Sequence, residues 1–219
     1  MLTALVASIL FTNCKTPSYP KVEDAFLAIP DSAVWGTTQE QRQIMLDGYQ
    51  ADDISFFMNG EAPYHIDIVD SVHNYMALLG NLECLWELKC WNLKQGEILI
   101  GVNILCCPWN CQTDMLAFYS YDGKNIKEVN KEDIIPNVWP EFFKGDMLET
   151  ETKFAGDTGI LSSILYRFSE EGDDIKVLFD FLESEDTLHT YFNGNVIDFT
   201  WDSGQFKKGN VRWDSETVQ

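Results

Sequence analysis

The fold of this chain is constrained most strongly by residues 84–107, CLWELKCWNLKQGEILIGVNILCC, which we interpret as two antiparallel strands meeting near Gly96. Apolar side chains dominate the even positions of both strands. A loop made of Lys94-Gln95-Gly96, with Gly96 at positive φ, pairs even positions with even ones. A shorter loop would place valine and isoleucine opposite glutamate and lysine. Each misplaced apolar side chain forfeits roughly 1.5–3 kcal/mol of burial, so we predict the first register, with one apolar face and one mixed face.

Hairpin signals recur along the rest of the chain. Two dipeptides typical of hairpin turns, Asp122-Gly123 and Asn193-Gly194, separate segments in which apolar residues alternate. The predicted strand pairs are residues 115–121 with 126–129, and residues 188–192 with 196–201. No alternation of strand, helix and strand is found. The sequence therefore predicts an α+β fold, built mainly from an antiparallel β-sheet of consecutive hairpins.

Short helices are predicted before the first strands. Residues 22–29 form an amphipathic pattern that Pro30 ends, because proline disfavours helix in the residue before it. The sequence Thr38-x-x-Gln41 is a capping box, which opens a second helix. We expect these N-terminal helices to pack on the sheet.

The N-terminal segment predicts the cellular address. Residues 1–13, MLTALVASILFTN, are too short to span a bilayer and are typical of the apolar part of a secretory signal. With Cys14 directly after it, the segment resembles a bacterial lipoprotein signal, in which that cysteine is acylated. Plain secretion and an unprocessed hydrophobic leader remain alternatives. We expect a signal peptide at residues 1–13, a tether at 14–21 and a single α+β domain at 22–219, lipid-anchored in the cell envelope (periplasm or outer membrane) or secreted.

The charge of the chain excludes some partners. Its formal net charge is −20, and so acidic a surface repels the phosphate backbone of nucleic acids. It also resists adsorption to anionic membranes, so we expect membrane attachment only through a lipid anchor. The simplest interpretation of the charge is that it keeps the protein soluble.

Five cysteines besides Cys14 could carry redox chemistry. In the preferred hairpin register Cys84 lies opposite Cys106, and Cys107 and Cys111 flank a short Pro-Trp-Asn segment. We expect either at least one disulfide among these four or buried free thiols, since an envelope compartment permits oxidation. The spacing does not match a structural zinc site, and we predict no metal site and no cofactor.

Two tryptophans are candidate binding residues. Trp109 lies at the predicted tip of the loop between Cys107 and Cys111, and Trp91 falls on the mixed face of the hairpin. An exposed indole ring can stack on a sugar or anchor a protein partner, although such rings also fold over their own loops. The sequence lacks the common nucleophile, phosphate-binding and zinc-protease motifs, so we assign no catalytic residue and expect no enzyme.

Several short motifs together are similar to one protein family. In chain order they are Ile29-Pro30-Asp31-Ser32, Arg42, Leu46-Asp47, Trp86-Glu87-Leu88-Lys89, Cys107-Pro108, Asp114 and Phe118-Tyr119-Ser120. They resemble an uncharacterised family of Bacteroidetes secreted lipoproteins, a domain of unknown function. The resemblance implies a cell-envelope address and supplies no activity, cofactor or catalytic residue.

Three functional hypotheses follow from the sequence. The leading one is an exported, lipid-anchored, non-catalytic binding or accessory module with a protein or glycan ligand. A second is an acidic inhibitor or immunity-type protein that neutralises a basic partner through electrostatic steering. A third is an unusual thiol- or carboxylate-dependent enzyme whose groups converge only in space.

Overall fold

A computed structural model describes residues 19–34, 36–80, 85–105, 116–158, 163–180 and 189–214. The helices of these residues are α1 (Val22–Ala28), α2 (Gln39–Ala51), α3 (Ser55–Met58), α4 (Lys131–Ile134) and α5 (Met147–Thr158). The strands are β1 (Tyr64–Asp70), β2 (Tyr75–Gly80), β3 (Leu85–Asn92), β4 (Ile98–Leu105), β5 (Ala117–Tyr121), β6 (Ile126–Val129), β7 (Ser163–Phe168), β8 (Ile175–Asp180), β9 (Val196–Asp202) and β10 (Gln205–Lys208). The predicted α+β class with antiparallel hairpins is confirmed.

The first six strands form one antiparallel sheet in chain order, with β3 and β4 at its centre. Trp86 pairs with Ile104 and Cys90 pairs with Ile100, so even positions face even positions as predicted. The loop is Lys94–Gly96, and Gly96 has a φ of 87°. The register that buries the most apolar surface is the one that the chain adopts.

The last four strands form a second antiparallel sheet in the order β10-β9-β8-β7. Here the prediction of a hairpin across Asn193-Gly194 is wrong, because β9 pairs with β8 and β10 instead. The side chain of Asn193 donates hydrogen bonds to the carbonyl oxygens of Glu141 and Phe143. Asn193 therefore holds its loop against residues 141–143 and does not form a hairpin turn.

The N-terminal helices cover the apolar face of the six-stranded sheet, as expected. Phe26 from α1 and Met45 from α2 pack in one buried cluster with Trp86 and Leu88 of β3. The capping box of α2 is present, since Thr38 Oγ1 accepts from Gln41 N and Gln41 Oε1 accepts from Thr38 N. Helix α1 ends at Ala28, two residues before Pro30.

The four-stranded sheet covers the other face, so the six-stranded sheet is a middle layer. Leu99 and Phe118 of the larger sheet share a second buried cluster with Phe168 and Val177 of the smaller one. The mixed face predicted for β3 is thus buried as completely as the apolar face. Within the described part of the chain, no helix is both long enough and apolar enough to cross a membrane.

Candidate functional site

Most residues that the sequence singled out fall outside the described ranges. They are Cys14, Cys84, Cys106, Cys107, Trp109 and Cys111. Their proposed acylation, pairing and ligand contacts stay predictions. The cysteine that is described, Cys90, is a free thiol in the core beneath the N-terminal helices. Burial raises the pKa of this thiol, so it is a poor nucleophile at neutral pH.

Trp91 is described, and its position corrects the sequence interpretation. Its side chain is 1% exposed and lies between the two sheets. Its ring packs edge-on against Phe168 and Phe206 at centroid distances of 5.4 and 5.1 Å. Its indole N–H donates to the carbonyl oxygen of Asp173 at 2.8 Å. The second sheet leaves this ring no surface for a ligand, so we assign Trp91 to the core instead of to binding.

A buried carboxylate lies on the same face of β3. Glu87 is 2% exposed and accepts hydrogen bonds from the Tyr75 hydroxyl, the Asn103 amide and the backbone N–H of Phe168. Desolvation raises the pKa of Glu87, although these donors and the charge of Arg167 oppose the shift. The bond from Phe168 joins the two sheets, the other two lie within the larger sheet, and burial leaves the carboxyl group almost no surface for a ligand.

A buried lysine completes this junction. Lys89 Nζ donates to the carbonyl oxygens of Ser169 and Glu170 at 3.0 and 3.4 Å. Desolvation lowers its pKa, against the attraction of Asp173 and Asp70. Together, Glu87, Lys89 and Trp91 attach the end of β7 and the turn after it to the larger sheet. We interpret this set as structural.

A solvent-accessible cleft lies on the helical side of the molecule. It has a volume of about 650 Å³ and lies between α1 with its following loop, the start of α2, and the β5–β6 hairpin. We call it the Arg42 cleft, after the arginine that forms part of its wall. Its volume is within the range of small-molecule sites in proteins.

Arg42 is fixed in this wall by bonds on several sides. Its Nη2 donates to the carbonyl oxygen of Ile29 at 2.7 Å, and its Nη1 lies 3.1 Å from Asp31 Oδ1. Nη1 also lies 3.3 Å from the carbonyl oxygen of Thr37. The side chain is 1% exposed, and no hydrogen-bond partner for its buried Nε is found among the described residues. Desolvation lowers the pKa of Arg42, while Asp31 raises it. The loop after α1 is therefore held rigidly against α2.

The groups of the cleft that meet solvent come from the surrounding elements. Asp31 is 60% exposed, and Asp24, Gln39 and Lys124 are exposed as well. Tyr121 is half-buried, and desolvation together with the charges of Asp24 and Asp122 raises its pKa. Its phenol therefore stays protonated at neutral pH and can both donate and accept a hydrogen bond.

A second cleft, of about 520 Å³, lies where α2 and α3 meet β1, and we call it the His65 cleft. Three carboxylates, Asp52, Asp53 and Asp67, line it, and none of its described lining residues is lysine or arginine. The His65 ring packs against Phe57 at a centroid distance of 4.8 Å, and its buried Nδ1 has no hydrogen-bond partner in the part of the chain that the structure describes. In the described ranges, no three His, Cys, Asp or Glu side chains form a group that could hold a metal ion.

A third cleft, of about 580 Å³, separates the tips of the β3–β4 and β9–β10 hairpins. Gln95 and Ser203 line it with φ angles of 65° and 54°. Such positive φ angles are uncommon outside glycine, and they serve here to close two tight turns.

Sequence reasoning did not identify the Arg42 cleft as a site. Ile29-Pro30-Asp31 and Arg42, which carry part of the family resemblance, do line it. One local signal was available: Arg42 lies on the same face of α2 as the buried Met45 and Leu46. A charged residue within a buried helical stripe requires partners, and the loop after α1 provides them.

The comparisons with known proteins address the fold. No protein-family model matches the sequence, and no curated protein matches it either. A solved structure of a domain of an uncharacterised protein from Porphyromonas gingivalis W83 is similar, with a TM-score of 0.57 and 17% sequence identity. The match covers 87% of this chain and 98% of that chain. At this identity the likeness shows a shared fold with a Bacteroidetes protein of unknown activity.

Proposed function

We propose that the protein is an exported, lipid-anchored, non-catalytic binding module of the cell envelope, and that it binds its ligand in the Arg42 cleft. The observation that carries the proposal is the construction of this cleft. A buried arginine holds its wall in place, while two exposed carboxylates, an amide and an ammonium group face the opening.

A wall fixed in advance favours binding, because little conformational entropy is lost when the ligand arrives. Among the described residues that line the cleft there is no histidine, cysteine or serine, so these residues offer no imidazole base and no thiol or serine hydroxyl nucleophile. These features support binding without catalysis.

A titration followed by NMR tests the binding function. The probes are maltotriose, lysine, succinate and the dipeptide Gly-Gly, which represent an uncharged, a cationic, an anionic and a zwitterionic class. We expect at least one probe to shift the amide signals of residues 24–31 and 121–126 saturably. If no probe moves these signals, the Arg42 cleft is not a binding site for small molecules of these classes.

Mass spectrometry of the mature protein, isolated from its native cell envelope, tests the proposed export and lipid anchor. We expect a chain that begins at Cys14 and carries acyl groups. A chain that retains Met1 and has no acyl mass would reject the lipid anchor, whatever the binding experiment shows.

A second candidate function is supported by the His65 cleft. Tyr49 and Ile54, which are 41% and 51% exposed, lie beside the carboxylates of Asp52 and Asp53. Exposed apolar side chains next to uncompensated negative charge suit a basic protein partner, as an acidic inhibitor requires.

Binding of a lysine-rich amphipathic peptide, measured at low and high salt, tests this candidate. We expect the affinity to fall with salt and to fall further in the variant Asp52→Asn/Asp53→Asn. The matched control is Asp146→Asn/Glu149→Gln, which removes two carboxylates near the start of α5. Affinity that does not respond to salt would reject an electrostatic inhibitor.

A further inference from the structure

The Arg42 cleft differs from the rest of the molecule in its charge. The chain as a whole carries a formal charge of −20. Within the cleft, however, Asp24 and Asp31 are balanced by Arg42 and Lys124. The field of the whole protein disfavours an anionic ligand, and the formal charges of the described lining residues sum to zero, so the cleft itself has no excess negative charge to hold a cation. The charge balance therefore favours a ligand without net charge.

The same wall offers hydrogen bonds of both kinds. The exposed carboxylates of Asp24 and Asp31 accept, the Lys124 ammonium donates, and the Gln39 amide and Tyr121 hydroxyl do both. A ligand rich in hydroxyl groups matches this mixture, because each hydroxyl is both a donor and an acceptor. A ligand with acceptors alone would leave the carboxylates facing it without partners.

Apolar surface is interspersed between these polar groups. Leu27, Pro30 and Ile126 are partly exposed on the cleft, and they lie near the half-buried ring of Tyr121. The C–H face of a sugar ring packs on aliphatic and aromatic surface of this kind, while its hydroxyls point to the polar rim. A small polar ion gains no binding energy from contact with this apolar surface.

We propose that the Arg42 cleft binds an uncharged saccharide. The proposal rests on the proposed binding function and names the ligand class of the same site. Asp31, which the buried Arg42 holds in place, and the side chains of Asp24, Lys124 and Tyr121 supply its polar contacts. The cleft volume of about 650 Å³ accommodates a short oligosaccharide.

Titrations of the full chain, followed by NMR, with maltotriose, cellotriose and chitotriose test the proposal. Lysine and succinate serve as charged comparisons. We expect at least one trisaccharide to bind and to shift the amides of residues 24–31 and 121–126. The affinity should change by less than about twofold between low and high salt, because no net charge is screened. Asp24→Asn replaces a charged acceptor by a weaker neutral one, and Tyr121→Phe removes a hydroxyl group, so each should weaken binding by about fivefold or more.

Two variants serve as matched controls. Asp47→Asn removes an exposed carboxylate elsewhere on α2, and Lys127→Met removes an exposed ammonium from β6; neither residue lines the cleft. We expect both to bind the trisaccharide as the parent does. Thermal unfolding of every variant checks that the fold is intact.

The possible outcomes separate the ligand class from the site. Binding of lysine or succinate in the cleft, without binding of any trisaccharide, overturns the saccharide proposal and leaves the binding function intact. A trisaccharide that binds without moving the cleft amides, or whose affinity ignores Asp24→Asn and Tyr121→Phe, overturns the assignment to this cleft. If no probe binds there, both the saccharide proposal and the proposed function fail.

Discussion

Both faces of the six-stranded sheet are buried at its central strands, β3 and β4, but they are covered in different ways. One face packs against helices α1–α3 through apolar side chains such as Trp86 and Leu88. The other face packs against the second sheet and buries Glu87, Lys89 and Asn103 among its aromatic rings. The acceptors for Lys89, and for the Asn103 amide on the second sheet, are backbone carbonyl oxygens near the end of β7.

This difference shows that the two faces of one sheet stabilise the fold in different ways. The apolar face gains stability from buried area and volume, and such a core tolerates substitutions that conserve them. The polar face stabilises only the arrangement that supplies each buried donor and acceptor with a partner. We therefore expect mutations on the two faces to differ in which layer they release and in their dependence on pH.

The largest effect is expected for Trp91→Ala, which should lower the free energy of unfolding by about 3–5 kcal/mol, as large-to-small core substitutions do. Its matched control is Trp86→Ala on the helical face, with a loss of similar size. Hydrogen exchange distinguishes the two: the first should expose amides of β7–β9, and the second those of α1 and α2. Equal exchange patterns would contradict the separation of the faces.

Gly101 provides the next test, because its missing Cβ leaves room for the second sheet. A Cβ at this position would lie 2.8 Å from Phe168 Cζ and 2.9 Å from Trp91 Cζ3. We expect Gly101→Ala to cost about 1–3 kcal/mol in urea unfolding through overpacking. Adding Phe168→Leu should recover part of this loss, since the smaller side chain vacates the contact. Strictly additive losses would show that the two sheets do not meet at Gly101.

The third prediction concerns the pH dependence that Glu87 brings to the polar face. Its pKa is raised in the folded state, so its contribution is fully present below its ordinary pKa of about 4.5 and is lost as pH rises through the raised value. Glu87→Gln removes this loss and should be neutral or stabilising, by about 1 kcal/mol, at about pH 8. Measured by urea unfolding from about pH 5 to pH 8, the free energy of unfolding of the variant should increase relative to that of the parent as the pH rises. Parallel curves would mean that Glu87 does not titrate differently in the folded state.

Asp122 gives the smallest effect and the opposite sign. Its carboxylate accepts from the side chain and backbone N–H of Asn125 and from the backbone N–H of Lys124, which lowers its pKa to about 2. Its stabilising contribution is therefore present above about 3.8 and is lost as pH falls through about 2. The difference in unfolding midpoint between Asp122→Ala and the parent should narrow on acidification. A difference that widens would contradict this role.

Several features of the fold could be predicted because they depend on neighbours in the chain. The β3–β4 register followed from side-chain parity around Gly96, and the start of α2 followed from the Thr38 and Gln41 pair. Asp122-Gly123 correctly marked the turn between β5 and β6, although the loop runs over residues 122–125. In each case the deciding interactions span only a few residues.

The Arg42 cleft and the role of Trp91 could not be predicted in this way. Arg42 donates a hydrogen bond to the backbone carbonyl oxygen of Ile29, and Trp91 donates one to that of Asp173. Every residue carries such an oxygen, so no side-chain pattern marks which one is the partner. Asn193-Gly194 misled for a related reason: the Asn193 side chain found distant carbonyl acceptors, and the local turn propensity was overridden.

The sequence by itself determined the α+β class, the central hairpin and its two faces, since alternation and turn chemistry act locally and burial selects among registers. Only the tertiary structure decided that the mixed face is buried. That outcome required β7 to present the Tyr166 carbonyl to Asn103 and the Phe168 N–H to Glu87, and the next residue, Ser169, to present its carbonyl to Lys89. The physical reason is distance along the chain: these contacts join residues separated by 63 to 81 positions, and only packing of the two sheets brings them together.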